Sequence, residues 1–292
     1  MEQTSKHTNM KTVFLVPLLV ILLGFQLQAQ TVNTSGREVR GQATLRDAST
    51  GEIKEYKVRF NNARDRKVVV AMFGSKVTIE GYNGDEVVVQ GAGGKARPER
   101  AEGLRAVYNS AEDNSGIGLS VTQEGNTIRV TRASREGGNY TIRVPRNVHL
   151  VYDEVNWHGG GDVNIANIDG EVEVSTKVAS MNLTNVAGPV VASSTSGNIT
   201  VRFANVRQEK PSSLSNISGF IDVAMPANAK ANLKLKSITG EIYTDFDLGL
   251  KKGPNDLQRI GGGHNVEGST NGGGVEINLK TISSDIYVRK NK

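Results

Sequence analysis

The sequence predicts an all-β protein built as a β-solenoid, in which short strands wind into stacked coils. Glycine accounts for 33 of the 292 residues and aromatic residues for 5%, an unusual composition for a compact enzyme. Alternating apolar and polar residues, the pattern of half-buried strands, run through most of the chain. From residue 161 onward, a motif of one glycine and two alternating apolar residues recurs at regular intervals.

Residues 1–29 are predicted to be a secretory signal peptide. Lys11 provides a basic start, and residues 13–25 form an apolar segment that is short for a bilayer span. Ala29 is a small residue at a plausible cleavage point, so the mature chain is expected to begin at Gln30. An uncleaved N-terminal anchor is the alternative. No later apolar run in the sequence is long enough to cross a membrane.

Residues 30–65 are predicted to form a short N-terminal β cap. Alternating runs at 38–45 and 53–60 indicate two strands within this segment. The end of a solenoid exposes unpaired backbone groups, and such an edge invites aggregation unless another segment covers it. We therefore expect the segment to cover the N-terminal end of a solenoid domain that occupies residues 66–292.

The strand pattern is looser upstream of residue 161. Residues 118–131 predict a hairpin with Glu-Gly-Asn at its turn. Further strands are expected within 76–90, at 140–144 and at 148–151. Two glycine-rich segments, residues 91–105 and 247–274, are expected to be loops, and the second interrupts the repeat.

A nine-residue unit recurs from residue 161 onward. Its successive starts are Gly161, Gly170, Ala179, Gly188 and Gly197. The residue seven places after each start alternates between apolar and polar, so two units make one coil of 18 residues. Later starts at Gly219, Gly240 and Ser284 follow at steps of 22, 21 and 44 residues. Coils of about 18 to 22 residues explain every start.

Strand geometry assigns the side chains of each coil to two faces, because successive side chains point in opposite directions. Val172 and Val174 are expected to point into the core, and Glu171 and Glu173 to point outward. Stacked coils would bury the first set as continuous aliphatic ladders. The glycine at each start is expected to supply the backbone dihedrals of a tight corner.

Three segments of the chain carry a family resemblance. They are Val-Thr-Ile-Glu-Gly-Tyr-Asn-Gly-Asp-Glu-Val at 77–87, the glycine-containing segment 103–119, and the Ser/Thr-Gly-x-Ile-x-Val repeat through 195–288. Together they resemble the bacterial putative-adhesin family of exported β-strand-repeat proteins, over about residues 75–292. The resemblance implies a right-handed β-helix-like solenoid and an exported, non-catalytic role, and it supplies no catalytic residues. The chain departs from the family pattern at Ala179 and Ser284, where glycine is usual.

The polar residues show no metal or catalytic motif. Cysteine is absent, the histidines lack metal-ligand spacing, and the acidic residues match no calcium loop, so no metal and no cofactor are expected. With an 18-residue coil, Asp162 stacks on Ser180 and Asn198, and Glu173 stacks on Val191. Each outward ladder then holds a single carboxylate, which does not predict the paired acid and base of a polysaccharide-cleaving enzyme. We therefore expect a protein that is not an enzyme, with such an enzyme as a remote alternative.

Two groups of residues are candidates for ligand binding. Trp157, the only tryptophan, precedes His158 at the entry to the regular coils, where the pair could stack on a sugar or plug the core. The outward residues Asn164, Asn182 and Thr200, with Asp162 nearby, offer a flat polar ladder. Possible ligands are glycans and proteins of the envelope or cell surface.

Charge and location complete the prediction. The 35 basic and 30 acidic residues are mixed along the chain, so no nucleic-acid partner is expected. The sequence predicts an exported, non-catalytic, adhesin-like interaction protein of the bacterial cell envelope, in the periplasm or at the cell surface. A periplasmic scaffold or sensing module is the alternative.

Overall fold

The computed structural model describes residues 53–92, 99–104, 111–134, 137–157, 161–249 and 264–291, and all of them lie in one compact unit. The predicted signal peptide, its cleavage at Ala29 and Gln30, the expected strand 38–45 and His158 lie outside these ranges. Within the ranges the chain is all-β, as predicted, with one 3-10 turn at Glu99–Ala101. No helix there has the length and apolar character needed to cross a bilayer.

Twenty strands make up the described structure. In chain order they are β1 Ile53–Arg59, β2 Lys67–Met72, β3 Lys76–Tyr82, β4 Glu86–Ala92, β5 Leu119–Glu124, β6 Thr127–Arg132, β7 Asn139–Pro145, β8 His149–Glu154, β9 Val163–Ala166, β10 Val172–Thr176, β11 Met181–Val186, β12 Val190–Ser194, β13 Ile199–Phe203, β14 Ser212–Asn216, β15 Ile221–Met225, β16 Ala231–Ser237, β17 Ile242–Thr244, β18 His264–Thr270, β19 Val275–Thr281 and β20 Ile286–Lys290.

The strands form two ten-stranded sheets that share one core. Sheet A has the order β1-β4-β7-β3-β9-β11-β13-β15-β20-β17, and sheet B has the order β18-β16-β19-β14-β12-β10-β8-β2-β6-β5. From β8 to β17 the chain alternates between the sheets, so each coil gives one parallel strand to each. Val172 is the register partner of Val190, and Met181 that of Ile199. This architecture confirms the predicted β-solenoid-like fold.

The inward ladders are the ones that the sequence predicts. Val163, Met181, Ile199, Ile221 and Ile286 are consecutive register partners in sheet A, and each is fully buried. Burying a side chain of this size contributes roughly 1.5–3 kcal/mol, and a coil gains it only when a neighbouring coil covers it. The core therefore holds the stack together through contacts between coils.

Two of the corner glycines, Gly197 and Gly219, serve a different purpose from the one expected, whereas Gly188 has the positive φ angle, +81°, that the prediction requires. A Cβ atom on Gly197 would lie 2.0 Å from the carbonyl oxygen of Ala179, and one on Gly219 would lie 2.3 Å from the oxygen of Gly197. Neither residue has a positive φ angle. Glycine is required at these corners because successive coils approach backbone to backbone, and not because the turn needs a left-handed residue.

A buried polar ladder reinforces the same corner. The Thr176 hydroxyl lies 3.0 Å from that of Ser194, whose oxygen accepts a 2.9 Å bond from the Gly197 N–H. In the next coil Asn216 donates to the Gly197 carbonyl over 2.6 Å and accepts from the Gly219 N–H over 3.2 Å. Each corner is thus bonded to its neighbour by side chains inside the core.

Two expectations about the C-terminal region are corrected. The segment 247–274 is not entirely a loop, because its residues His264–Thr270 form β18, which pairs antiparallel with β16. The coils also depart from chain order: β19 lies between β14 and β16, and β20 lies between β15 and β17. The start at Ser284 therefore stacks between those at Gly219 and Gly240. Every coil offers the same inward apolar pattern, so regular spacing does not encode the stacking order.

The N-terminal region shows the same kind of insertion. The β2–β3 coil lies between the β6–β7 and β8–β9 coils. The hairpin predicted at 118–131 is confirmed as β5 and β6. Strand β1, predicted at 53–60, pairs antiparallel with β4, which pairs antiparallel with β7. The parallel stack is thus flanked by antiparallel strands in this region.

Candidate functional site

An open groove lies where the strands of sheet B end and turn toward sheet A. Ser175, Ser193 and Ser215 are neighbouring register partners on β10, β12 and β14, and they project from the outer face of the sheet. They line a groove of about 410 Å³. The rest of the lining comes from the strand ends and corners: Trp157, Thr176, Lys177, Ser194, Thr195, Asn216, Ile217, Lys280 and Ile282.

Trp157 is exposed in this groove. It lies in the turn after β8, and 59% of its surface is open to solvent. A side chain this exposed is not buried as a hydrophobic plug. The role of Trp157 as a ligand contact stays a prediction. The residue type and its position could be predicted from the sequence, but its exposure could not, because the turn that carries it is irregular.

The groove offers hydroxyl, apolar and cationic groups. The hydroxyls of Ser175, Ser193 and Ser215 make no hydrogen bond to any residue that the structure describes. Lys177 and Lys280 are the charged groups of the lining, and its described residues include no aspartate, glutamate or histidine. The arrangement can stack a flat apolar ring and hydrogen-bond to polar substituents. It holds no pair of groups suited to acid–base chemistry.

A ridge of exposed isoleucines extends one wall of the groove. Ile217, Ile282 and Ile238 occupy equivalent corner positions in three neighbouring coils, and 46%, 39% and 42% of their surfaces are exposed. The Ser283 N–H bonds to the Ile217 carbonyl over 3.1 Å, and the Thr239 N–H to the Ile282 carbonyl over 3.0 Å. These three side chains form an exposed apolar strip beside the groove.

The remaining candidate residues lie together on the outer face of sheet A. Asn164, Asn182 and Thr200 are consecutive register partners, and the Asn182 amide donates to Asn164 over 3.2 Å. Asp162 immediately precedes β9, beside Ser180. None of these four candidates lines the groove that contains Trp157. The sequence thus named residues of two separate surfaces.

The sheet A ladder continues into an aromatic pair that sequence reasoning missed. Thr200 is followed across the sheet by Asp222, Tyr287 and Tyr243. The rings of Tyr243 and Tyr287 stack with their centroids 5.3 Å apart and an interplanar angle of 11°. The inserted β20 strand creates this contact, so the linear repeat contained no signal for it.

A cluster of titratable groups corrects the expectation that carboxylates stay apart. The register of β8 and β10 places His149 beside Glu171 on the outer face of sheet B, with Glu173 diagonal to it. Nε2 of His149 lies 2.9 Å from Oε1 of Glu173. Potential ligand atoms of all three residues lie within 4.8 Å of one another and could hold a metal ion. The prediction compared only residues that are direct register partners, so it did not consider the diagonal contact between His149 and Glu173.

Lys210 already pairs with this cluster. Its Nζ lies 2.8 Å from Oε2 of Glu171, and this bond holds the pKa of Glu171 below its usual range. Any cation would have to compete with the lysine ammonium. As it stands, the cluster is a surface ion-pair network, an arrangement that contributes little to stability at exposed positions.

Comparison with known proteins identifies the domain. The family described as Toastrack DUF4097 matches residues 147–289, from the turn before β8 into β20. This match contains the groove and the sheet A ladder from Asp162 onward. A search of curated proteins found no match.

Solved structures of similar shape come from three bacteria. The first is described as a putative cell adhesion protein from Clostridium sporogenes, with 11% identity, a TM-score of 0.45, and coverage of 82% of this chain and 99% of that chain. A putative adhesin from Bacteroides fragilis has 10% identity and a TM-score of 0.28, and the match covers 83% of this chain and 98% of that chain. A putative adhesin from Parabacteroides merdae has 9% identity and a TM-score of 0.28, and the match covers 83% of this chain and 97% of that chain. Residues 147–289 are thus similar to the Toastrack DUF4097 family, and the similarity to the putative-adhesin family inferred from the sequence is confirmed.

Proposed function

We propose that this chain is an exported, non-catalytic, adhesin-like interaction protein of the bacterial cell envelope that binds glycans through the groove containing Trp157. The observation that carries the proposal is an exposed tryptophan beside a row of unbonded serine hydroxyls. A sugar ring has an apolar face that packs on an aromatic ring, and an edge of hydroxyls that need hydrogen-bond partners. The groove supplies both kinds of contact in one place.

The composition of the groove supports binding without catalysis. Cleavage of a glycosidic bond needs two carboxyl groups on either side of the bond. The described lining residues provide lysines and hydroxyls instead, and neither lysine is positioned beside an acid within the groove. The proposal also includes the finer features inferred from the family, which are right-handed winding, coils of about 18 to 22 residues, and export by the signal peptide.

A periplasmic scaffold is the second candidate function, and the isoleucine ridge favours it. Ile217, Ile282 and Ile238 would be buried by a protein partner, whereas a glycan would leave most of the ridge exposed. The two candidates therefore predict different sensitive residues, Trp157 for a glycan and the ridge for a protein.

The test of the proposal is a glycan array followed by titration of the best ligand with Trp157→Ala, Trp157→Phe and Val191→Ala. Val191 is the matched control, because it is exposed on sheet B outside the groove. Loss of aromatic stacking is worth about 1.4 kcal/mol, so Trp157→Ala is expected to bind about tenfold more weakly. Trp157→Phe keeps a ring and should retain most affinity. Unchanged binding by Trp157→Ala, or equal loss in Val191→Ala, would contradict the proposal.

Location needs its own experiment. A protease-sensitive tag inserted between residues 251 and 263, ahead of β18, reports accessibility on intact cells, with lysed cells as the control. Loss of the tag on intact cells is expected for a surface protein. Protection until lysis would indicate the periplasm and favour the scaffold function.

A further inference from the structure

A second cavity, on sheet A, is lined by three cations. Arg202 comes from β13, Arg289 and Lys290 come from β20, and the amides of Asn185 and Asn291 complete its polar lining. The cavity is open and has a volume of about 540 Å³. Phe203 and Ala204 are its other lining residues, so the described lining contains no acidic side chain.

The strand register places the two arginines for a common ligand. Arg202, Ala224 and Arg289 are consecutive register partners, so the arginines project from strands that are two positions apart in sheet A. Two strand spacings amount to about 10 Å. Ala224, between them, has only a methyl group and is itself buried. Asn291 closes one end through a 2.7 Å bond from its amide to the Phe203 carbonyl.

The cations around this cavity outnumber the acidic groups that could neutralise them. Nε of Arg289 lies 3.0 Å from Oδ1 of Asp222, near enough for an ion pair although the angle does not make a hydrogen bond. Lys290 lies over the ring of Phe246, 5.4 Å from its centroid. Arg202 has no acidic partner within the described part of the chain. The Asp245 carboxylate also accepts a 2.9 Å bond from the Lys290 backbone N–H. Three cations thus face two carboxylates, and the remaining positive charge is complementary to an anionic ligand.

An aromatic ledge adjoins the cations. Tyr287 lies two residues before Arg289 on the same face of β20, with the guanidinium 5.4 Å from its ring centroid. Tyr243 stacks on Tyr287 and is exposed, and Phe220 meets Tyr287 edge-on at 6.2 Å. Negative charge beside a flat ring with an apolar face is the combination presented by a sugar acid or a sulfated sugar.

We propose that this cavity binds carboxylate- or sulfate-bearing units of an acidic polysaccharide, with the sugar ring packed on the tyrosine ledge. The site is separate from the groove containing Trp157 and does not depend on it. A nucleic-acid duplex is disfavoured, because strong duplex binding uses a line of phosphate contacts. The row of register partners that leads to Arg202, which is Glu80, Ala166 and Thr184, contains no cation.

The experiment measures binding of the full mature chain to heparin, polygalacturonate, dextran and a DNA duplex at low and moderate salt. The variants are Arg202→Gln, Lys290→Gln and Tyr243→Ala. The matched control is Arg129→Gln, which removes an equally exposed charge from the outer face of sheet B. Arg289 is left intact because its loss would leave Asp222 without its cation.

We expect the chain to bind an acidic polysaccharide, and we expect this binding to weaken as the salt concentration rises. We expect no binding to dextran, which is uncharged. Arg202→Gln and Lys290→Gln should each bind about three- to tenfold more weakly, the range for losing one exposed charge-assisted contact. Tyr243→Ala should weaken binding, while Arg129→Gln should leave it unchanged. Tighter binding to heparin would indicate recognition of sulfate groups, and tighter binding to polygalacturonate would indicate recognition of carboxylate groups.

Three outcomes would overturn this proposal. They are failure of wild type to bind either acidic polymer, equal losses in Arg202→Gln and Arg129→Gln, and DNA binding that is as tight and as dependent on Arg202. Melting temperatures of all variants verify folding. The titration with Trp157→Ala tests the groove and the series with Arg202→Gln tests this cavity, and the two linings share no residue, so each proposal can fail without the other.

Discussion

Glu154 provides a sharp test of how one coil supports the next. Its carboxylate is 2% exposed, and Oε2 accepts bonds from the backbone N–H groups of Lys177, Val178 and Ala179, at 2.6, 2.9 and 3.2 Å. Lys177 also donates its ammonium to the Glu154 carbonyl. One buried side chain thus satisfies three successive backbone donors at the corner of the neighbouring coil.

The expected cost of Glu154→Ala follows from these contacts. The N–H of Ala179 is buried and would lose its bond to Oε2 of Glu154, while those of Lys177 and Val178 are partly exposed and can turn to water. A buried donor without an acceptor costs about 1–3 kcal/mol, and a bond to a charged group contributes about 1.5–3 kcal/mol. We expect Glu154→Ala to lower the free energy of unfolding by about 3–4 kcal/mol. Glu154→Gln keeps one acceptor oxygen and should cost about half as much.

Urea unfolding followed by far-UV circular dichroism measures this loss. Glu173→Ala is the matched control, since Glu173 lies on the same sheet but pairs with His149 at a partly exposed position. The control should change the free energy of unfolding by less than about 1 kcal/mol. Equal shifts of the unfolding midpoint in Glu154→Ala and Glu173→Ala would refute the idea that this carboxylate supports the corner.

Three further predictions concern the core and the pH dependence of stability. Val172→Asp should lower the melting temperature severely because Val172 is fully buried, whereas Glu173→Lys should not; equal melting temperatures would contradict the inward and outward assignment. The Arg146 guanidinium holds the pKa of Asp169 below its usual range. The pair therefore contributes its full stability at pH values above the unfolded-state pKa of about 4. This contribution is lost as the pH falls through the lower folded-state pKa of Asp169. Acid unfolding of Asp169→Asn should therefore show a shallower pH dependence than wild type. Burial raises the pKa of Tyr152, so stability should fall as pH rises above about 10, and in an absorbance titration this phenol should ionise only when the chain unfolds.

Local pattern was sufficient to predict most of the strands. The period-two alternation at 118–131 appears as a hairpin, and the inward valines and isoleucines of the repeat are buried as expected. The strand at His264–Thr270 was missed because it lies within a glycine-rich segment and contains Gly268. A Cβ at Gly268 would lie 2.7 Å from the side chain of Leu248, so that glycine marks close packing rather than a loop.

The candidate sites depended on information that the linear repeat does not contain. Tyr243 and Tyr287 meet because β20 stacks beside β17, and Arg289 reaches the row of Arg202 for the same reason. Because all coils have the same inward apolar pattern, the repeat predicts which face of a sheet each residue lies on. It does not predict which residues of other coils lie beside it. His149 and Glu173 came together diagonally, which a comparison along single ladders did not consider.

The insertion of β19 and β20 between earlier strands affects how the stack of coils folds and what the removal of a coil would do. Strands β19 and β20 follow the rest of the domain in the chain, yet they are interior strands, with β14 and β15 on one side and β16 and β17 on the other. The coil that contains β16 and β17 cannot dock in its final place until the C-terminal residues arrive to separate it from the preceding coil. Folding of this region therefore waits for contacts between strands about 65 residues apart in sequence, a separation that slows folding. Deleting the β19–β20 coil would therefore remove a middle layer of the stack and bring β14 and β15 against β16 and β17, which this coil keeps apart.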